Sequence, residues 1–312
     1  MRTFGMIGIA VLSALATAAQ AQAIDASGRQ DAREDRVLDK PEHEFVKAQS
    51  AARLAASLYD AEVARAQAAG TPPPSPPKPP SLLTFDVSAG GTWSLETGAP
   101  GHPASLAYIT PGVTANLDLG SVASWKIAAR AGVDGDHYLD NHQDQNEVRF
   151  DGRVTATHAV GANGAFILTY RPFASVAGDL GSTNYVTHRL SGTYDVSVTP
   201  QLEVVAAGEY QFSSTDSLRR LKFTLDAAYA FPTVKQLHAT PSVEQVLQYS
   251  NFRGGTNLGR NDLLSQTSVT LEWEPGNKWK LDFTVAYTHR FSDRAGDAFD
   301  ELDIGPQLKR RF

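Results

Sequence analysis

The feature that most constrains this chain is an alternation of apolar and polar residues that recurs from residue 83 to the end. It is clear in the last stretch, Phe299–Phe312, where Leu302 and Leu308 fall on one side and charged residues fall mostly on the other. Arg310 is the exception among the apolar positions. Successive side chains of a β-strand point to opposite faces. This stretch therefore predicts a strand with one mostly apolar face and one charged face, which ends the chain on an aromatic residue.

Eleven earlier stretches show the same pattern, and the ninth, around His238–Tyr249, is the least regular. They keep the alternation for about ten residues or more, which matches the ~9–11 residues that cross a bilayer at a tilt. Strands of soluble sandwiches are usually only ~5–6 residues long. The sequence therefore predicts an all-β fold, an antiparallel up-and-down transmembrane barrel of about 12 strands over residues 83–312. The competing folds are a soluble β-sandwich and a β-solenoid.

The connections between these stretches alternate in length. Short ones fall near Gly120–Val122, Gly161–Gly164, Thr199–Pro200, Phe231–Gln236 and Glu274–Asn277. The joins between them are polar and mostly longer, as at Leu139–Asn146 and Ser250–Asn261. Short periplasmic turns and longer outer loops are typical of transmembrane barrels, so both chain ends are predicted on the periplasmic side. Trp125 and Trp279 each follow a short turn and are predicted to lie in the periplasmic aromatic girdle.

On these strands and on its terminal Phe312, the chain resembles the porin-like superfamily of bacterial outer-membrane β-barrels. In that family the final aromatic is part of the signal that the barrel-assembly machinery reads. The resemblance implies an outer-membrane location, with lipid, lipopolysaccharide and that machinery as partners. Autotransporter translocators are similar too, but they carry a large passenger before their helix, and here only residues 24–41 separate the signal peptide from the helix described below.

The front of the chain divides into three segments. Residues 1–23 have a basic start, an apolar core and small residues near Ala23, which predicts a cleaved secretory signal peptide. Residues 24–70 form a predicted periplasmic segment with an amphipathic helix over about 42–69, and Gly70 is its predicted C-cap. Residues 71–82 are rich in proline and predict a semi-rigid polyproline spacer.

The role of the helix over 42–69 is open at this point. A solvated periplasmic helix, a plug for the barrel and a helix that associates with copies of itself all fit its Ala-rich apolar stripe. It could also dock a periplasmic partner or peptidoglycan, with the barrel as an anchor.

The charged positions of the strands predict a charged barrel interior. The net charge of the whole chain is −6, and nothing in it indicates a nucleic-acid partner. The candidate lumen-lining residues for selectivity are Arg130, Arg149, Arg153, Arg171, Arg189, Arg220, Lys222, Glu147, Asp151, Asp195, Glu203, Glu209, Asp226 and Glu272. Two interpretations follow: a narrow hydrated pore for small polar or ionic solutes, and a salt-bridged interior that conducts little.

The sequence lacks the local motifs of several hydrolases. No histidine is followed two residues later by serine, the pair that outer-membrane phospholipases carry, and no Gly-x-Ser-x-Gly or His-Glu-x-x-His occurs. We therefore expect a protein that is not an enzyme and has no cofactor. The absence of cysteine excludes disulfides and thiolate metal sites.

One acidic and histidine-rich stretch is a candidate for binding a divalent ion. It contains Asp134, Asp136, His137, Asp140, His142 and Asp144. Its spacing departs from that of calcium-binding loops, so the sequence favours a solvated or lipopolysaccharide-facing outer loop and no metal.

Overall fold

The computed structural model describes residues 63, 65–68, 70–72, 82–97, 105–139, 146–234, 237–276, 278–294 and 297–312. The predicted signal peptide, most of the 24–70 segment and most of the proline-rich spacer lie outside these residues. In the part of the chain that is described, no helix has the length and apolar character needed to cross a membrane.

The described residues form twelve strands that close into one barrel. The strands are β1 (Leu83–Thr97), β2 (Ser105–Val122), β3 (Trp125–Tyr138), β4 (Glu147–Val160), β5 (Gly164–Ala177), β6 (Thr183–Ser197), β7 (Leu202–Ser213), β8 (Arg220–Ala230), β9 (Ala239–Phe252), β10 (Asn261–Gly276), β11 (Trp279–Ser292) and β12 (Phe299–Arg311). Each strand pairs antiparallel with its neighbours in the chain, and β1 pairs with β12. The prediction of a 12-stranded antiparallel barrel is confirmed.

Two of the predicted turns differ from the structure. The turn predicted at Glu274–Asn277 is placed too early, because β10 continues to Gly276. The predicted turn at Gly120–Val122 is wrong, because β2 continues to Val122 and the chain reverses at Ala123 and Ser124. A break in register between Asp118 and Gly120 absorbs the extra residue. Gly120 has a φ of +85°, which explains why a glycine at this position looks like a turn in the sequence.

The helix that precedes the barrel ends where the sequence predicts. Gly70 has a φ of +65°. Its N–H donates to the carbonyl of Gln67 at 3.2 Å, and the N–H of Thr71 donates to the carbonyl of Ala66 at 2.9 Å. This pair of bonds is the Schellman motif, which satisfies the last carbonyls of a helix. The rest of the helix predicted over 42–69 lies almost entirely outside the described residues.

The barrel closes at a point where two backbones approach too closely to admit a side chain. The β1–β12 register runs from Gly90 opposite Gln307 to Trp93 opposite Ile304. Between these pairs, a Cβ added to Gly305 would overlap the carbonyl oxygen of Gly91. A Cβ added to Gly91 itself would meet nothing within 4 Å. Glycine is therefore required on β12 at this point, and not on β1.

We expect Gly305→Ala to destabilise the barrel by roughly 1–3 kcal/mol, because the closing strand pair must separate to admit the methyl group. Urea unfolding in lipid vesicles measures the loss, and the folded fraction is measured by the gel shift of unboiled samples. Gly91→Ala is the matched control and should be near neutral. Equal stability of the two variants would contradict this account of the closure.

Candidate functional site in the barrel interior

In the barrel wall, polar side chains are buried and apolar side chains are exposed, which is the reverse of the distribution in water-soluble proteins. On β6, Arg189 is 1% exposed, whereas its neighbour in the chain, Leu190, is 49% exposed. The same alternation runs along β4 and β5. Apolar side chains therefore face outward, as lipid contact requires, and polar side chains face inward.

Arg149 is the centre of an ionic cluster on β3 and β4. Its Nη1 donates to Oδ2 of Asp136 at 2.8 Å, and its Nη2 donates to the other oxygen of the same carboxylate at 2.9 Å. Nη1 also reaches Oε1 of Glu147 at 2.9 Å, and Nε donates to Asp134. Arg149 and Asp136 are both 3% exposed, so the guanidinium compensates a carboxylate that is out of contact with bulk water, whereas Asp134 remains about one-third exposed.

Four of the predicted arginines lie in one row across adjacent strands. Arg130 is the direct cross-strand partner of Arg153, and Arg171 is the partner of Arg189. The register of β4 and β5 joins these two pairs. Asp151 is opposite Phe173 and Val154 is opposite Tyr170. The same register places Arg153 opposite Arg171. We use the name arginine row for five residues: Arg130, Arg153, Arg171, Arg189 and Arg220, whose place is described next.

The row continues towards the end of the barrel that carries the longer connections, which the sequence predicts to be the outer end. Arg189 is paired with Gln211, and Gln211 is paired with Arg220. Oε1 of Gln211 accepts a hydrogen bond from Nη2 of Arg220 at 3.3 Å. The row starts at the sixth residue of β3 and reaches the first residue of β8, so it climbs along the barrel as the tilt of the strands requires.

Carboxylates flank the arginine row. Oδ1 of Asp151 accepts a hydrogen bond from Nε of Arg171 at 2.6 Å. Oε1 of Glu209 lies 3.8 Å from Nη1 of Arg189 and 3.4 Å from Nζ of Lys222. Neighbouring guanidinium groups of the row repel each other because they carry the same charge. The carboxylates beside them offset part of this repulsion.

The other predicted lumen residues also lie on the inward face, and some are distant from the row. Asp195 and Asp226 are buried. Glu272 forms a salt bridge with Lys280 at 2.6 Å, near the opposite end of the barrel, where β10 ends. Glu203 lies near the periplasmic end of β7.

Sequence reasoning missed a second cluster at the outer mouth, because its residues lie in or beside long polar connections. Nη2 of Arg260 is 3.0 Å from Oδ2 of Asp262, and its Nη1 is 3.1 Å from Oδ2 of Asp297. Its guanidinium lies 3.7 Å from the ring centre of Phe252. Phe252 is also the cross-strand partner of Arg220, so this cluster adjoins the upper end of the arginine row.

A buried asparagine joins two outer connections at this mouth. Nδ2 of Asn257 donates to the carbonyl of Ser217 at 3.0 Å, and its Oδ1 accepts from Arg260 and Arg294. Nearby, hydrogen bonds from the backbone and side chain of Asn261 hold the pKa of Asp293 below its ordinary value. The connections over 214–219 and 253–260 are therefore fixed to each other.

The predicted aromatic and terminal residues lie at the strand ends. Trp125 begins β3 and packs against His158, with ring centres 5.2 Å apart. Trp279 begins β11, and the guanidinium of Arg310 lies 4.9 Å from its ring centre. The same guanidinium lies 4.8 Å from the ring of Phe312, whose N–H donates to the carbonyl of Phe85 at 2.8 Å.

The acidic stretch considered for a divalent ion is divided between a strand and a connection. Placing Asp134 and Asp136 in an outer loop was wrong, because both lie in β3 and bind Arg149. Residues 140–144 lie outside the described residues. In the part of the chain that the structure describes, no group of three metal-binding side chains occurs.

Comparison with known proteins supports the fold. No family model matches the chain, and no curated protein matches it. Its structure is similar to that of an outer-membrane channel from Pseudomonas putida F1, with a TM-score of 0.54 and 11% sequence identity over 77% of this chain and 100% of that chain. The chain shares the closed β-barrel fold of that channel.

Two other similarities are weaker. The translocator domain of the autotransporter NalP from Neisseria meningitidis has a TM-score of 0.47 and 13% identity, over 85% of this chain and 98% of that chain. The KdgM porin has a TM-score of 0.41 and 11% identity, over 71% and 98%. At these scores neither similarity informs the function.

Proposed function

We propose that this protein is a narrow outer-membrane channel for small polar or ionic solutes, with a preference for anions. The observation that carries the proposal is the arginine row, which lines up guanidinium groups along the inward face of β3–β8. Adjacent guanidinium groups attract anions into a cleft with low-dielectric walls. Twelve strands lie between the roughly eight that side chains fill and the sixteen that enclose an open channel.

The test is single-channel conductance of the refolded mature protein in a planar bilayer. We expect discrete steps and, under a salt gradient, a reversal potential with the sign of anion preference. Insertion is verified separately by protease protection of the barrel in vesicles. Silence from inserted protein would contradict the channel.

A closed anchoring barrel is the second candidate, because Arg171, Arg189 and Arg220 are each under 2% exposed. Such burial also suits a salt-bridged interior that conducts little. In this case the predicted helix over 42–69 would lie in the periplasm and dock a partner or peptidoglycan. Deletion of residues 24–80 separates the two roles of the helix. If the helix docks a partner, the deletion abolishes partner retention and no conductance steps are seen. If the helix is a plug, the deletion enlarges the conductance steps.

The partners at the membrane follow from the same proposal. Outward apolar residues would contact lipid and lipopolysaccharide, and the barrel-assembly machinery would read Phe312. We expect deletion of Phe312 to lower the amount of folded barrel in the membrane, measured by heat-shifted migration on gels. Equal amounts of both forms would contradict this role of the terminal residue.

A further inference from the structure

A line of polar side chains crosses the outward face of the barrel wall on β10, β11 and β12. Ser265 is the direct cross-strand partner of His289, and His289 is the direct partner of Asp300. Exposed apolar residues lie towards the outer end from this line, with Leu263 at 44% and Phe291 at 54% exposure. Exposed apolar residues therefore border the three polar residues on their outer side.

The central histidine has one ring nitrogen committed and one available. A hydrogen bond of 2.5 Å joins Nδ1 of His289 and Oδ1 of Asp300. The hydroxyl of Tyr287 donates to the same carboxylate oxygen at 2.5 Å. A carboxylate partner keeps the proton on Nδ1, so Nε2 is left as the acceptor. Asp300 therefore fixes both the tautomer and the ring orientation of His289.

The serine lies on the other side of this histidine. Direct cross-strand neighbours have Cβ atoms about 4.5–5.5 Å apart, so Ser265 and His289 are adjacent on the outward face. Oγ of Ser265 accepts a hydrogen bond from Nε2 of Gln245 at 3.1 Å. Oε1 of Gln245 accepts in turn from the hydroxyl of Thr267 at 2.5 Å. The hydroxyl is thus held in place on the face it shares with His289.

Two other outward histidines show that this arrangement is not a general property of the wall. His158 is paired with Trp125 and Phe166, and its cross-strand neighbours are therefore aromatic. His188 is paired with Pro172 and Phe212. Neither has a serine or a carboxylate beside it in register.

Asp300 is also unusual in its position. Asp300 lies on the same face of β12 as Leu302 and Leu308, whereas carboxylates such as Asp151, Asp195 and Glu209 are buried on the inward face. A carboxylate on the lipid-facing side is costly, and ionisable residues in such places mark functional sites. The triplet at Ser265, His289 and Asp300 therefore requires a reason beyond stability.

We propose that Ser265, His289 and Asp300 form a hydrolytic site for acyl esters of amphipathic lipids at the outer membrane interface. Ser265 is the nucleophile, His289 is the general base, and Asp300 is the positioning residue. The order serine, histidine and acid is that of the hydrolase triad, which is defined by geometry and not by sequence spacing. This site lies on the outer wall and is independent of the proposed channel.

The chemistry balances without a cofactor. Oγ of Ser265 attacks the ester carbonyl while Nε2 of His289 takes its proton. The C–O bond to the alcohol then breaks, and His289 returns the proton to the leaving alkoxide. Water attacks the acyl-serine, His289 accepts a proton from this water and gives it back to Oγ, and the acid is released. The net reaction is ester plus water giving carboxylic acid plus alcohol.

The substrate class follows from the surroundings. Ser265 is the fifth residue of β10 counted from its outer end, and Asp300 is the second residue of β12. Acyl chains would lie against exposed apolar side chains such as Leu247 and Tyr287, which flank the line. The ester of a membrane lipid lies between its polar headgroup and its chains, and the proposal places this line at that depth.

The first test is covalent labelling of the full mature protein in detergent micelles with an alkyl fluorophosphonate, followed by peptide mass spectrometry. We expect the label on Ser265, its loss in Ser265→Ala and a roughly 10²–10⁴-fold slower reaction in His289→Asn. Ser268→Ala and His188→Asn are the matched controls and should label as the parent does. Ser268 lies on the same strand but is buried on the inward face.

The role of Asp300 is tested by kinetics with a medium-chain p-nitrophenyl ester. If Asp300 positions His289, Asp300→Asn lowers kcat by about 10²-fold or more while KM is kept. A change in KM alone would assign Asp300 to the structure of the wall only.

The natural ester is distinguished with two substrates. Vesicles of phosphatidylethanolamine and vesicles containing lipopolysaccharide are incubated with the protein, and released fatty acids are quantified. Release from the first assigns phospholipid esters, and release from the second alone assigns the acyl esters of lipopolysaccharide. Absence of label on Ser265 in protein that shows the folded gel shift, or absence of release from both lipids, would overturn the proposal.

Discussion

Reversing the charge of two neighbours in the arginine row, Arg171→Glu with Arg189→Glu, is expected to change the ion preference of the proposed channel from anions to cations. The two residues are direct cross-strand partners, so the change moves the local charge by four units within one short stretch of wall. Field lines are focused in a narrow cleft with low-dielectric walls, and the effect should therefore be large. The measurement is the sign of the reversal potential in a salt gradient.

Arg310→Glu is the matched control, because Arg310 stacks on Trp279 and Phe312 at the opposite end of the wall and on its outward face. It should leave the reversal potential unchanged. If the double glutamate variant does not fold, the double variant Arg171→Gln with Arg189→Gln replaces it. This variant removes both charges without reversing them and should abolish the preference for anions. An unaltered reversal potential in a conducting glutamine variant would show that the row does not select ions.

Arg149→Ala is expected to destabilise the barrel by about 3–5 kcal/mol, the second largest effect that we predict. The substitution leaves Asp136, Glu147 and Asp134 without the guanidinium that now binds all three. Arg149→Lys should recover only part of the loss, because an ammonium group cannot form the two-pronged contact with Asp136. Urea unfolding in lipid vesicles measures both.

The control for this experiment is Arg219→Ala. Arg219 pairs with Asp216 at 2.9 Å, but both side chains are about half exposed or more. Exposed ion pairs of this kind contribute roughly 0–1 kcal/mol. If the two alanine variants were equally stable, burial of the Arg149 cluster would not be what makes it important.

The strands and their two faces were predictable because one physical signal dominates them. A lipid-facing wall needs apolar side chains at every second residue over a long stretch, as between Phe150 and Val154 on β4. The turn after β2 was misplaced because Gly120 has the residue type and backbone angle of a turn while lying in a strand. Local signals of this kind cannot distinguish a bulge from a reversal.

The site was only partly predictable because its geometry is set by register between strands. The sequence indicates that Arg130 and Arg153 face inward. Their direct pairing, however, depends on the register between β3 and β4, which the sequence does not specify. Arg260 was missed because it precedes β10 in a polar connection. The outward triplet was missed because its three residues belong to three different strands. Motif searches examine only residues that are close together in the chain.

The climb of the arginine row has a consequence for how a solute would move. The row passes through β3 to β8, which is half of the twelve strands. A solute that exchanges one arginine for the next therefore turns through about half of the circumference as it advances. Its route is a spiral and is longer than the height that the solute gains along it. A short rigid anion can only step between neighbouring guanidiniums, whereas a flexible chain with regularly spaced negative groups can hold several of them at once and wind along the wall.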